Sequence, residues 1–261
     1  MPRTTRLSDQ VLSILSTVRI EGNTVFLTCG MLSGDKAGRK LYLDVNDALM
    51  ALGGKWNRKA KGHVFDSDPT EKIENAILTG EVIPPSKNGY FPTPAPIVEQ
   101  LIELAGVQPG DLVLEPSAGT GNIAFELVRK GCAVYACELL PENRAALKAP
   151  GKPLVELWKE PDFLKFESDP IYDAVVMNPP FEKQADIDHV LHAYKMLKPG
   201  GRLVSVMAAG ITFRQDKKAT GLRELIDHVG GEIIPLPEGA FKESGTMVRT
   251  VIVVLPKEKE S

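Results

Sequence analysis

The chain has 261 residues, of which 43% are hydrophobic, and it carries a formal net charge of −3. This size suffices for one large core and a small accessory domain. No apolar run approaches the roughly 20 residues that span a bilayer, and no apolar signal core follows the first charges, so we predict a cytoplasmic protein without membrane contact. The acidic balance excludes a surface coated in positive charge, and three cysteines without a C-x-x-C pair indicate no disulfide framework and no metal site.

The first 86 residues predict a small α+β domain. One helix is expected, with Asp44 as its N-cap and Gly53 and Gly54 at its end. Short β-like runs are predicted at Thr24–Thr28, Lys40–Leu43 and His63–Phe65.

The same domain holds a basic stretch within Gly53–His63. Four cations surround one tryptophan there, with no acid among them, and they are a candidate contact with substrate. An ordinary solvated loop is the equally good alternative. The residues concerned are Lys55, Trp56, Arg58, Lys59 and Lys61.

A boundary is predicted at Val82–Gly89, which is rich in proline, glycine and asparagine. The second domain, residues 87–258, alternates strand and helix patterns, which is typical of a doubly wound parallel sheet with helices on both faces. Its first helix is expected to use Thr93 as a cap and Pro94 in the first turn. Seven strands are predicted at Leu112–Leu114, Ala133–Cys137, Leu154–Leu157, Ala174–Met177, Leu203–Met207, Glu232–Leu236 and Val248–Leu255. The helices between them are predicted at Ile123–Arg129, Glu142–Lys148, Asp186–Leu197 and Leu222–Val229.

Ligands of such sheets bind beyond the carboxyl ends of the strands. The loop Glu115–Asn122 after the first strand carries glycines that let the backbone turn tightly around a nucleotide-type ligand, whether a dinucleotide or another. Glu138, at the end of the second strand, is a candidate acceptor for ribose hydroxyls. After the third strand, Asp162 and Phe163 could bind an adenine ring, although an aspartate there is also a common turn former.

The most specific motif is Asn178-Pro179-Pro180-Phe181, after the fourth strand. The two prolines fix the backbone, so the Asn178 side-chain oxygen and the Pro179 carbonyl could point the same way. Two acceptors holding the hydrogens of a conjugated amine would favour a pyramidal nitrogen and stabilise positive charge as it alkylates. Phe181 offers an aromatic face for a planar base.

Together these motifs resemble the class I S-adenosylmethionine (SAM)-dependent methyltransferases that act on adenine N6, over roughly Gly89–Leu255. The resemblance implies a seven-stranded Rossmann-like sheet with one antiparallel strand, and direct methyl transfer to an adenine flipped out of DNA. It implies that SAM is held by Phe91, Thr93, Pro94, Glu115, Pro116, Ala118, Gly119, Gly121, Glu138, Asp162 and Phe163. The catalytic residues it implies are Asn178, Pro179, Pro180 and Phe181.

The N-terminal and loop sequences are similar to phage and plasmid methylases, which implies a bacterial or phage-infected host and a restriction-modification setting. The loop after the fifth strand adds a second weak substrate contact at Arg214, Lys217 and Lys218. An RNA adenine methyltransferase is the nearest alternative. A protein glutamine N5-methyltransferase is less favoured because its relatives usually have tyrosine at position 181, and a non-catalytic nucleic-acid-binding module is disfavoured by the intact motifs.

Overall fold

The computed structural model describes residues 5–27, 36–82, 92–153, 155–244 and 248–259. The chain divides into two compact units. Unit 1 comprises Met1–Asn88 together with Ala209–Thr220, and unit 2 comprises Gly89–Ala208 and Gly221–Ser261. The sequence-based boundary at residue 86 had assigned 209–220 to the second domain, whereas the contacts of this segment lie in unit 1.

Unit 1 packs helices against a small antiparallel sheet. Its four-stranded sheet has the order β2-β3-β5-β4, and a separate pair joins β1 to β6. The core is aliphatic, with Leu12, Val25, Val45 and Leu49 fully buried. The elements are β1 (Thr5–Arg6), α1 (Asp9–Leu15), β2 (Arg19–Glu21), β3 (Thr24–Phe26), α2 (Lys36–Ala51), β4 (Lys55–Asn57), β5 (Gly62–Val64), α3 (Thr70–Thr79) and β6 (Glu81–Val82).

Two predictions for this unit were wrong. The run Lys40–Leu43 is not a strand but lies inside α2, where Lys40 pairs with Asp44 one turn later, Nζ to Oδ2 at 3.2 Å. Asp44 is therefore an interior helix residue and not an N-cap. Two further helices, α1 and α3, were not predicted. Their lengths of seven and ten residues give a short periodic signal, and burial against the core stabilises them.

Unit 2 contains a seven-stranded sheet in the order β12-β13-β11-β10-β7-β8-β9. The strands β7 to β11 pair with one another in parallel, while β13 runs antiparallel to both of its neighbours, β11 and β12. The chain order reverses between β7 and β10, which makes the edge beyond these two strands the expected ligand site. The strands are β7 (Leu112–Glu115), β8 (Ala133–Ala136), β9 (Glu156–Leu157), β10 (Tyr172–Met177), β11 (Leu197–Ala208), β12 (Glu232–Pro235) and β13 (Thr250–Pro256).

Five helices accompany this sheet. The central strands are buried on both faces, with Val113, Val175 and Val204 inaccessible to solvent, as helices on two sides require. The helices are α4 (Ala95–Ala105), α5 (Asn122–Arg129), α6 (Pro141–Leu147), α7 (Ala185–Lys195) and α8 (Lys217–His228). Within the described ranges, no helix is long and apolar enough to cross a membrane.

One predicted cap in unit 2 was wrong. Pro94, and not Thr93, is the N-cap of α4, and the cap makes no side-chain hydrogen bond. The hydroxyl of Thr93 instead accepts a hydrogen bond from Asn178. A residue whose pattern predicted a helix cap therefore belongs to the site.

Candidate active site

The loop after β7 turns sharply at two glycines before α5 begins. Gly119 and Gly121 have φ angles of 54° and 96°, in the left-handed region that glycine adopts without steric cost. A Cβ on Gly121 would lie 2.6 Å from the Phe125 ring and 2.8 Å from Leu147. The second glycine is therefore required by packing as well as by backbone conformation.

Glu138 ties this loop to the end of β8. One carboxylate oxygen accepts from the Gly119 backbone N–H at 2.6 Å, and the other accepts from the Leu140 N–H at 2.7 Å and Asn143 Nδ2 at 3.3 Å. The side chain is 7% exposed. Because an ionised carboxylate has about four acceptor positions, these three bonds leave capacity for a ligand hydroxyl. Glu138 thus holds the glycine loop in shape, a role the sequence did not suggest.

Glu115 is the most unusual ionisable group of the site. It is 1% exposed, the Ala124 backbone N–H donates to its carboxylate, and its Oε2 has no hydrogen-bond partner within the protein. Burial raises its pKa well above the ordinary value, and the nearby charge of Glu138 adds to this rise. An unpartnered buried carboxylate oxygen is costly, so the site is electrostatically suited to a cationic ligand.

Asn178 lies directly after β10 and is oriented by Thr93. Its amide Nδ2 donates to Thr93 Oγ1 at 3.1 Å, and Asn122 Nδ2 donates to the Thr93 carbonyl at 2.8 Å. Pro179 and Phe181 are buried, while Pro180 is exposed. Lys183 and Gln184, within the short turn that follows Phe181, have φ angles of 53° and 60°. In the bond between Asn178 and Thr93, the amide nitrogen of Asn178 is the donor and the Thr93 hydroxyl is the acceptor.

One small cavity joins five of the predicted site residues. The cavity is lined by predicted residues from three separate parts of the chain, namely Thr93, Glu115, Ala118, Gly119 and Asn178. Pro92, Ser117, Asn122 and Ile123 also line it and were not predicted. A signal for Asn122 was present, since a polar side chain follows the glycine loop directly. Phe91, another predicted residue, lies outside the described residues.

Asp162 and Phe163 lie in a separate aromatic cluster beyond β9. Asp162 caps a short 3-10 turn, and the Lys165 ammonium that bonds to its carboxylate lowers its pKa. Phe163 is 3% exposed and packs on His192 and His189, with ring centroids 4.9 and 5.5 Å away. Burial lowers the pKa of His189, so its ring is neutral at pH 7. These residues form a packed wall, and the cavity described above does not include them.

The basic residues predicted to contact substrate separate into two groups. Lys55, Arg58, Lys59 and Lys61 are exposed. Arg214, in contrast, is 4% exposed and its guanidinium pairs with Glu74 Oε2 at 2.7 Å within unit 1. A buried, paired guanidinium is a structural element, so we no longer assign Arg214 to substrate.

Solved structures with the same fold include two modification enzymes. The methyltransferase subunit of a type I restriction-modification system from Streptococcus thermophilus superposes with a TM-score of 0.56 at 18% identity, covering 88% of this chain and 56% of that one. The M protein of the type I restriction enzyme EcoKI gives 0.52 at 19% identity, covering 94% and 56%. The predicted seven-stranded methyltransferase sheet is confirmed by these likenesses.

Residues 156–261 match the family described as N-6 DNA Methylase. This range includes the Asn178–Phe181 motif. This match agrees with the predicted family of N6-adenine methyltransferases.

Relatives with similar sequences cover the chain only in part. A methyltransferase of Geobacillus kaustophilus without assigned function is 30% identical over 146 residues, which is 51% of this chain and 66% of the relative. A protein of Mycobacterium tuberculosis without assigned function is 31% identical over 117 residues. The chain covers 41% of that protein, less than half of its length.

Proposed function

We propose that the protein transfers the methyl group of SAM to the exocyclic N6 of adenine in DNA. The observation that carries this proposal is the bond between Asn178 Nδ2 and Thr93 Oγ1 at 3.1 Å, at the end of β10. The amide nitrogen faces Thr93 in this bond, and we assign Oδ1 of Asn178 as the acceptor for a substrate amine. The match of residues 156–261 to the family described as N-6 DNA Methylase supports this choice of substrate.

The residues of the cavity fit SAM. Glu115 supplies a buried carboxylate oxygen that lacks a partner, which matches the positive charges of the cofactor. Thr93, Ala118 and Gly119 line the same cavity, and Glu138 has acceptor capacity for a ribose hydroxyl. When bound, SAM supplies an electrophilic methyl group on a sulfonium.

The chemistry required of the protein is then small. Adenine N6 is a weak nucleophile because its lone pair is delocalised into the ring. Asn178 Oδ1 and the Pro179 carbonyl accept its two hydrogens and favour a pyramidal nitrogen, while Phe181 packs on the base. Bound SAM would supply the methyl group directly to N6, while Asn178 and the Pro179 carbonyl hold the N6 hydrogens, one of which would then be lost to solvent.

Among the described residues, neither cysteine is suited to act as a nucleophile. Cys132 and Cys137 are buried free thiols, and burial raises the pKa of Cys137 to about 12. That thiol stays protonated near neutral pH, and a thiol is a far weaker nucleophile than a thiolate. Direct transfer without a covalent protein intermediate is the mechanism that these residues support.

The test is transfer of labelled methyl from SAM to unmethylated DNA, RNA and a protein extract in parallel, followed by nucleoside analysis. We expect N6-methyladenine in DNA. Asn178→Ala should abolish transfer while the Kd for SAM changes less than about threefold, since Asn178 acts on the substrate amine. Label found only in RNA would show that the substrate is RNA and not DNA. An Asn178→Ala variant that still transfers methyl would refute the catalytic role assigned to Asn178.

The two modification subunits of the same fold lend support to a restriction-modification role. Phage or plasmid origin and a cytoplasmic location stay predictions from the sequence.

A further inference from the structure

Unit 1 carries a cationic hairpin that the proposed chemistry does not use. The basic hairpin, Lys55–Val64, consists of β4, a turn and β5. No acidic residue occurs between Asp47 and Asp66. Within the described part of the chain, none of its four basic side chains forms an ion pair or a side-chain hydrogen bond. They are Lys55, Arg58, Lys59 and Lys61.

The turn of the basic hairpin holds these cations on a defined backbone. Asn57 Oδ1 accepts from the backbone N–H groups of Lys59 and Ala60, at 2.9 and 3.1 Å. Lys61 has a φ of 52°, and Gly62 packs so closely that a Cβ would lie 2.7 Å from the Val25 carbonyl oxygen. The cations therefore project from an ordered turn, which lowers the entropy lost on binding.

Trp56 adds an aromatic surface to the same hairpin. It is 47% exposed and lies opposite His63 in the strand register, with ring centroids 5.2 Å apart. His63 is fully buried and bonds through Nε2 to Asn46 Oδ1 at 2.9 Å, which links the pair to α2. Burial lowers the pKa of His63, so a neutral ring supports the indole at pH 7. The indole is anchored on one side and open to solvent on the other.

We propose that the basic hairpin binds single-stranded DNA, with phosphates on its cations and an unpaired base stacked on Trp56. This inference rests on the proposed function and names the surface that holds the DNA strand. Fixed cations beside an exposed aromatic ring are the combination by which proteins bind single strands. Because the whole chain is net negative, its attraction for DNA must come from such a local patch. Flipping the target adenine exposes unpaired bases of this kind.

Point variants of the full chain are the appropriate test. Deleting residues 1–86 would remove the partner of Arg214 and the core against which Phe213 packs, so the remainder would not be intact. We would measure binding of a labelled single-stranded oligonucleotide by fluorescence anisotropy over a salt series. Trp56→Ala should weaken binding roughly tenfold, and Trp56→Phe should recover most of the loss.

Removing two cations gives a second readout. Arg58→Ala with Lys59→Ala should lower the slope of log K against log salt by about 1.4, because each phosphate contact on a single strand contributes roughly 0.7 to that slope. The matched control is Lys130→Ala with Lys148→Ala, two exposed lysines of unit 2, which should leave the slope unchanged. The Kd for SAM should stay the same in every variant.

The inference would be overturned if both hairpin variants bound the oligonucleotide with wild-type affinity. It would also be overturned if the control variant lost as much affinity as the hairpin variants. Tighter binding of RNA than of DNA, or loss of self-association instead of DNA affinity in Trp56→Ala, would also overturn it. Methyl transfer by the wild type separates the two proposals. Hairpin-dependent DNA binding without transfer would remove the proposed function alone, whereas transfer that is indifferent to the hairpin would remove this inference alone.

Discussion

Replacing Glu115 with glutamine keeps the size of the side chain and removes its charge. In the absence of ligand, the raised pKa of the buried carboxyl means that the folded state binds a proton more tightly than the unfolded chain. Its contribution to stability is therefore fully present below the ordinary carboxyl pKa and is lost as pH rises through the raised value. The Glu115→Gln variant should not show this loss. At a pH above the raised pKa of Glu115 it should therefore be more stable than the wild type.

The same substitution should weaken cofactor binding. A hydrogen bond to a charged group contributes about 1.5–3 kcal/mol, and glutamine retains only a neutral one. The difference is about 1–2 kcal/mol, and because about 1.4 kcal/mol corresponds to a factor of ten, the Kd for SAM should rise on the order of 5- to 30-fold. The reasoning depends on Oε2 of Glu115 being buried without a partner in the protein.

Urea unfolding at pH 5 and pH 8, with calorimetric titration of SAM, measures both effects. The matched control is Glu142→Gln, an exposed acid in the first turn of α6, which should change neither. A Glu115→Gln variant that is less stable than wild type at pH 8, or that binds SAM within threefold of it, would refute the argument.

Three further substitutions test the supporting structure. Arg214→Met should lower the free energy of unfolding by about 2–4 kcal/mol because it leaves Glu74 without its buried partner, and Glu74→Gln in addition should restore part of the loss in denaturation curves. Asp186→Asn should cost about 1–3 kcal/mol, since Asp186 Oδ2 accepts from the Ala208 N–H at 3.0 Å in a buried position; an unchanged melting curve would contradict this. Gly121→Ala should reduce SAM binding and stability together, because the added methyl meets Phe125, and unaltered calorimetry would count against that packing.

Much of unit 2 could be predicted from the sequence, for a physical reason. Its central strands are short buried apolar runs bounded by glycines, and the residues at their carboxyl ends carry the chemistry. The loop at Gly119 and the motif at Asn178 were predicted on these grounds, and both line the cavity. Their roles in the reaction stay predictions until they are measured.

Other features depend on contacts between distant residues. The hydrogen bond from Asn178 to Thr93 joins positions 85 residues apart, and local patterns carry no information about it. The ion pair of Arg214 and Glu74 joins positions 140 residues apart, so the sequence predicts an exposed cation at a position that the fold buries. In α2, the run Lys40–Leu43 predicted a strand. Leu41 instead has helical spacing to Val45 and Leu49, and it packs against the same core as they do.

Unit 1 is assembled from two pieces of chain, and this affects the order in which it can fold. Phe213 packs against its core and the Phe213 carbonyl accepts from Ser13 Oγ at 3.1 Å. During synthesis at about 5–20 residues per second, the N-terminal piece ends at residue 88 and waits on the order of ten seconds for the second piece. Unit 1 reaches its complete core only after most of unit 2 has been made. Evolution therefore cannot exchange it as one continuous module, because any replacement must also supply the segment between β11 and α8.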